Sequence, residues 1–311
     1  MKATSPGVLF LTLITVVMMA VLLAGCTTPV TPKEQVLLAT TTSLDDTGLL
    51  DYLKPMFEEQ YNAELLITSQ GTGKALEIAG RGDADVLAVH SPADEKKYME
   101  SGKGLNRRCF AYNYFIIVGP DNDPAGIRGM EPIAAFKKIS ELGTAGTPGI
   151  QFISRGDNSG THSMEKAIWK AAGYNYTADI RVSGAWYVEA GRGMGETLQL
   201  SNEKQAYTLS DEGTYLSYKG NLDLIPVIDQ GEILLNVYSV IAVYNEKYTA
   251  QEVAMANNFV DFLISPDIQD EIGKFGVDKY GKALFTPMRG SCSQFDCDCT
   301  SPATATTPFP A

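Results

Sequence analysis

One arrangement recurs along this chain and constrains its fold more than any other: a short apolar run, a cluster of small polar residues, then a helical pattern. Val36-Leu37-Leu38-Ala39-Thr40 reads as a buried strand and runs into Thr41-Thr42-Ser43, after which residues 48–61 place Leu49, Leu50, Leu53, Met56 and Phe57 on one helical face. Asp45, Asp46 or Thr47 is expected to cap that helix, and Pro55 to bend it. Residues 65–68 form a second strand, 74–79 a short helix and 86–89 a third strand. Strands joined through helices in this order require a parallel sheet covered by those helices.

A second α/β block follows, with a helix over residues 133–142, a strand over 150–154 and a helix over 161–172. Further strands are expected over 180–183, 206–209 and 222–227. Two longer apolar runs, 114–118 and 237–243, stand apart, and the later one is placed to return the chain to the first block. Helices over 251–263 and 267–275 complete the pattern. After Thr286-Pro287 the sequence turns rich in Thr, Ser, Pro and Ala, a composition expected to be disordered.

The N-terminus differs from the rest. Lys2 precedes an uncharged, mostly apolar stretch from Val8 to Ala24, and Leu22-Leu23-Ala24-Gly25 leads directly into Cys26. This is the grammar of an export signal, and it resembles the site at which a bacterial-type lipoprotein is cleaved and lipidated on Cys26; an uncleaved membrane anchor is the alternative. Residues 1–26 are therefore read as a signal or lipoprotein segment and 27–35 as a tether, leaving the remainder outside the cell membrane but attached to it. The formal net charge of −12 argues against nucleic acid and anionic lipid as partners. Of the other cysteines, Cys109 lies in an apolar run and is expected to be a buried free thiol. Cys292, Cys297 and Cys299 fit no zinc spacing; one disulfide or no functional role is expected of them, and no metal or cofactor.

Four polar clusters stand where a strand should end and a helix begin: Thr40-Thr41-Thr42-Ser43, Ser69-Gln70-Gly71-Thr72-Gly73, the run from Ser154 to Thr161, and Ser210-Asp211-Glu212-Gly213-Thr214. In open α/β sheets this is the ligand crevice, where unpaired helix N–H groups face anions. Each cluster alone is equally a set of caps and turns. Four successive hydroxyl residues, and Arg155 set among small polar side chains, exceed what capping needs. A guanidinium fork suits a tetrahedral oxyanion; an ion pair with Asp157 is the competing use. A catalytic reading would have His162 activate Ser159 or Ser163. The chain has only two histidines, and the run Gly156-Asp157-Asn158-Ser159-Gly160 is not a nucleophile elbow.

Several of these stretches occur together in one order: Ala39-Thr40-Thr41-Thr42-Ser43, Gly71-Thr72-Gly73, the residues from Gly82 to His90, Asn106-Arg107-Arg108, Ser154 to His162, Gly191 to Leu198, and Ala206 to Asp211. In that order they resemble the tungstate-binding components of ABC transporters, over about residues 36–287. The resemblance implies a type II periplasmic-binding-protein fold. Lobe 1 would comprise residues 36–118 and 240–288 and lobe 2 residues 119–239, joined by crossing strands near 113–119 and 239–245, with 289–311 a disordered tail. It implies Thr41, Thr42, Ser43, Arg155 and Thr161 as ligand residues, with Gly71, Thr72, Gly193, Met194 and Thr208 offering further amides or hydroxyls. The implied partners are tungstate or molybdate and a membrane permease. Sulfate or phosphate binding, an extracellular serine hydrolase using Ser159 and His162, and an extracytoplasmic sensor domain are the competing functions.

Overall fold

The apolar run at residues 36–40 becomes the middle of strand β1 (Glu34–Thr41), with Val36, Leu38 and Ala39 buried. This computed structural model describes residues 33–295, 297–298 and 302–304, so the expected signal segment, the tether up to residue 32 and Cys26 lie outside the described residues. After β1 come a single helical turn α1 (Thr42–Asp45), then α2 (Leu49–Tyr61), β2 (Ala63–Gln70), α3 (Thr72–Gly80) and β3 (Val86–Val89). β1 and β3 run parallel, with Leu38 opposite Val86, as the strand–helix–strand order demands. Neither aspartate caps α2. Gly48 does so in the left-handed conformation (φ 79°), and Thr47 Oγ1 accepts the Leu49 N–H at 3.2 Å.

Helix α4 (Pro92–Glu100) leads into β4 (Gly104–Gly119), a strand of 16 residues. Then follow α5 (Pro132–Thr144), β5 (Phe152–Ser154), α6 (Gly160–Ala171), β6 (Tyr187–Glu189), α7 (Met194–Lys204), β7 (Thr208–Asp211), α8 (Glu212–Tyr218) and β8 (Ile225–Ile228). The chain closes with β9 (Leu235–Val243), α9 (Ala250–Ile264), α10 (Pro266–Lys274), α11 (Val277–Tyr280) and β10 (Thr286–Pro287). The strand expected over 180–183 is absent. A one-turn helix, Tyr176–Ile180, takes its place, because Asn175 caps it by accepting the Thr177 and Ala178 N–H groups at 3.0 Å.

The main sheet has the order β10-β4-β9-β3-β1-β2, and β7 and β8 join it through β4 alone. From Gly104 to Tyr114, β4 pairs with β9; from Phe115 to Val118 it pairs with β7. The two largest hydrophobic cores lie either side of this division. Leu53, Phe57, Phe110, Tyr238, Phe259 and Phe262 belong to one, and Phe115, Phe136, Phe152, Trp169 and Tyr207 to the other. β4 therefore leaves the first core for the second between Tyr114 and Phe115. The return differs from expectation. β9 is already paired with β4 at Leu235, so residues 235–239 lie in the first lobe's sheet, and the second core ends at Leu234.

The tail also departs from its reading. Cys297 is disulfide-bonded to Cys109, across a separation of 188 residues, so Cys109 is not a free thiol. Arg108 Nη1 pairs with Asp298 at 2.9 Å, and the Ala303 N–H donates to Asp261 Oδ1 at 2.8 Å. Thr/Ser/Pro composition disfavours a core of its own, but one covalent tie and an existing surface suffice to order these residues. Among the described residues no helix is long and apolar enough to cross a membrane.

Candidate functional site

The hydroxyl run after β1 divides its labour. Thr40 Oγ1 donates to Ala88 O at 2.8 Å and locks β1 to β3. Thr41 is the N-cap of α1, its Oγ1 accepting the Leu44 N–H at 3.2 Å. Thr42 takes part in neither duty, and Ser43 Oγ lies 3.3 Å from the capping Thr41 Oγ1. Thr42 Oγ1 accepts a hydrogen bond from Arg155 Nη2 at 2.9 Å, and Ser43 Oγ lies 2.9 Å from His90 Nε2.

Arg155 reaches Thr42 because the turn after β5 is tight. Gly156 takes φ 63°, and a Cβ there would stand 2.6 Å from the Glu189 Cβ. Its N–H is held by Ser154 Oγ at 3.1 Å, and that hydroxyl donates to the buried Glu165 carboxylate at 2.5 Å. Tyr187 and Trp169 also donate to Glu165, whose burial raises its pKa to about 7. Beyond the turn, Ser159 caps α6 by accepting the His162 backbone N–H at 3.2 Å. The imidazole of His162 is turned elsewhere: Nδ1 accepts the Asn158 N–H at 2.9 Å and Nε2 bonds the Tyr176 hydroxyl at 2.8 Å. The serine and the imidazole that suggested a hydrolase are therefore not bonded to each other.

Three further helix starts meet this turn. Gly71 caps α3, and a Cβ on it would lie 3.3 Å from Asp157 O, which explains a glycine at that contact between lobes. Gly193 caps α7 close to Thr42 Oγ1, with Met194 in the first turn and its side chain packed on Leu198 and Tyr215. Met194 can thus offer only its backbone N–H. Asp211 caps α8 by accepting the Thr214 N–H at 2.9 Å, and burial raises its pKa to about 6. The fourth polar cluster is therefore a buried cap. Thr208 is drawn away too, its hydroxyl donating to Ile153 O at 2.7 Å, so that the proton expected for a ligand is committed to the sheet.

The unsatisfied groups define what the site can do. Among the described residues, the buried side-chain atoms without a partner are Arg155 Nε, Arg155 Nη1, Thr72 Oγ1, Thr161 Oγ1, Tyr98 OH and Trp186 Nε1. Four of these six belong to residues singled out from the sequence, and Arg155, Thr72 and Thr161 are at most 1% exposed. A buried guanidinium with two orphaned nitrogens is costly unless an acceptor is brought to it. Arg155 Nη2 also donates to Asp157 Oδ2 at 2.6 Å, so the expected ion pair exists and uses one nitrogen of the fork. A separate cavity of about 960 Å³, lined by His90, Arg107, Met164, Asn236 and Phe295, lies behind His90 and includes none of the orphaned groups.

Two α/β lobes sharing a strand, with unpartnered donors buried where they meet, constitute the architecture of a periplasmic solute-binding protein. The family model of the PBP superfamily domain matches residues 27–267. The tungstate-binding protein TupA of Peptoclostridium acidaminophilum is 43% identical over 290 residues, covering 89% of this chain and 97% of the relative. Among solved structures, the tungstate-binding protein TupA from Desulfovibrio alaskensis is 42% identical with a TM-score of 0.67, covering 82% of this chain and 98% of that one. The tungstate ABC transporter protein from Geobacter sulfurreducens is 40% identical with a TM-score of 0.68, covering 78% and 99%. The chain belongs to the PBP superfamily and, within it, to the family of tungstate-binding components of ABC transporters.

Of the residues expected from the sequence to bind ligand, Thr72, Arg155 and Thr161 hold buried atoms without partners, while Thr42 is bonded to Arg155 and Ser43 to His90. Sequence reasoning missed Asn236, which bonds His90 Nδ1 at 2.8 Å. An asparagine in the mostly apolar β9 was the available signal.

Proposed function

We propose that this chain binds tungstate outside the cytoplasm and delivers it to the permease of an ABC importer. The observation that carries the reading is the set of orphaned donors: Arg155 Nε and Nη1 with the hydroxyls of Thr72 and Thr161, all buried. A ring of oriented donors replaces the hydration shell of a dianion without supplying protons to it. With a net charge of −12, the surface field repels anions, so affinity must come from these local contacts and from the N-termini of α3, α6 and α7. Arg155 in one lobe and Thr42, Ser43 and Thr72 in the other make the closed form the one that gains contacts, and a closed form is what a permease can recognise.

In the same reading, Ser43, Thr41, Thr42, Gly71, Gly193 and the Met194 N–H complete the cage, molybdate is a second ligand, and Cys26 carries the lipid that holds the protein at the membrane. No catalytic role is assigned: Ser159 is a helix cap. A thermal-shift series with tungstate, molybdate, sulfate and phosphate tests the assignment, because only ligands of the native state raise its stability. The largest shift is expected with tungstate. An equal or larger shift with sulfate or phosphate would overturn it.

A further inference from the structure

The direction of the Ser43 hydroxyl proton can be traced from a backbone carbonyl. Leu284 O can only accept, so the Asn113 amide 3.4 Å away turns Nδ2 toward it. Asn236 Nδ2 donates to the remaining Asn113 Oδ1 at 2.9 Å and to the Tyr238 hydroxyl at 2.9 Å. Asn236 Oδ1 therefore faces His90 Nδ1 at 2.8 Å, and that nitrogen must carry a proton. His90 is stacked on Tyr238, with ring centroids 4.8 Å apart, and the first turn of α6 closes over it at Gly160. Burial pushes its pKa down to about 4, opposed by the Asn236 hydrogen bond and by Asp157 and reinforced by Arg155. A neutral imidazole protonated on Nδ1 has a bare Nε2, so the 2.9 Å contact with Ser43 Oγ is a bond in which serine donates. Ser43 Oγ also lies 3.3 Å from Thr41 Oγ1; with its one proton committed to His90, Ser43 accepts there from the Thr41 hydroxyl and has no proton left for a ligand.

A fully deprotonated oxyanion needs that proton. If the hydroxyl turned to the anion, His90 Nε2 would be left buried without a donor. We propose that oxyanion binding is coupled to proton uptake on His90: a solvent proton adds to Nε2, the imidazolium N–H takes over the bond to Ser43 Oγ, and the Ser43 hydroxyl donates to the anion. Every atom of the chain from Leu284 O to the ligand is then satisfied. The inference rests on the oxyanion reading of the site.

The charges around His90 are Arg155 and Asp157 from the turn before α6, the titratable Tyr238 from β9, and, across the cavity behind it, Lys96, Arg107, Arg108 and Asp298. Arg107 is paired with Glu95 at 2.8 Å and Arg108 with Asp298, which leaves the arriving dianion as the new field that favours an imidazolium. Asp211, raised to about 6, is another group able to take a proton. His162 is not equivalent, since protonating its Nδ1 would break the bond from the Asn158 N–H.

The test is calorimetry of the full chain with tungstate between about pH 6 and 8 in buffers of differing ionisation enthalpy, together with imidazole 15N shifts of the two histidines. Expected are proton uptake approaching one per tungstate, a Kd that tightens by up to about tenfold per unit of falling pH, and a His90 Nε2 shift that becomes that of a protonated nitrogen. His90→Gln, whose amide can donate to Ser43 at every pH, should retain binding while the uptake and the pH slope vanish. Tight binding with no proton uptake, uptake with His90 still neutral, or undiminished uptake in folded His90→Gln would overturn the proposal. Absence of tungstate binding at every pH would instead remove the oxyanion function and this inference with it. If His90→Gln does not fold, the 15N shifts of the unaltered protein decide the question.

Discussion

Replacing Arg155 by alanine is the perturbation whose size follows most directly from the geometry. Nη2 is already engaged by Thr42 and Asp157, so the ligand can gain two charge-assisted hydrogen bonds, to Nε and Nη1. At about 1.5–3 kcal/mol each, they amount to about 3–6 kcal/mol, or a loss of about two to four orders of magnitude in Kd for tungstate. Arg155→Lys keeps the charge but offers one point donor in place of a fork, and should recover only part of the loss. Stability without added anion should change far less. The substitution removes an ion pair and a contact between lobes, but it also removes a buried charge with two orphaned nitrogens. Competition calorimetry reads the affinity and a thermal melt without anion reads the fold. Tungstate affinity in Arg155→Ala within about threefold of the parent, with the melt unchanged, would refute the reasoning.

Thr72→Val and Thr161→Val each delete a buried hydroxyl that has no partner. Chemical denaturation without anion should show equal or higher stability while tungstate affinity falls by about tenfold, an opposition of signs that a merely structural threonine would not give. Breaking the tie between Cys109 and Cys297, as Cys109→Ala with Cys297→Ala, should lower the unfolding free energy by about 2–5 kcal/mol, because it releases a loop of 188 residues in the denatured chain. An unchanged denaturation midpoint would contradict that.

Much of this was legible in the residues because local chemistry and fold agreed. The strand–polar–helix pattern located β1, β2, β3 and the N-terminus of α6, since each is set by neighbours in sequence. Arg155 stood out for the same reason: a guanidinium among small polar residues has no local use beyond Asp157. What escaped depended on distant partners. Thr208 looks like any other strand-end hydroxyl until Ile153 O is brought beside it. Cys109 looks like a core residue until a tail 188 residues away crosses β4. Likewise, nothing near Leu235 announces that pairing with Tyr114 begins there, and the boundary between lobes followed the ladder rather than the composition. The Asn113–Asn236–His90 chain joins β4, β9 and the residue after β3 and has no counterpart in any single stretch.

β4 exchanges β9 for β7 between Tyr114 and Phe115 with no unpaired residue at the exchange. A joint made this way behaves as a leaf spring rather than a swivel. Rotation of one lobe against the other has to be absorbed as added twist over a few paired residues, and the restoring torque grows with angle. Amides on both sides of the joint should then stay protected from hydrogen exchange throughout opening and closing. The range of motion is bounded by the stiffness of this ribbon and of the return segment into β9, which favours two lobes that reclose in the same register each time an anion is released.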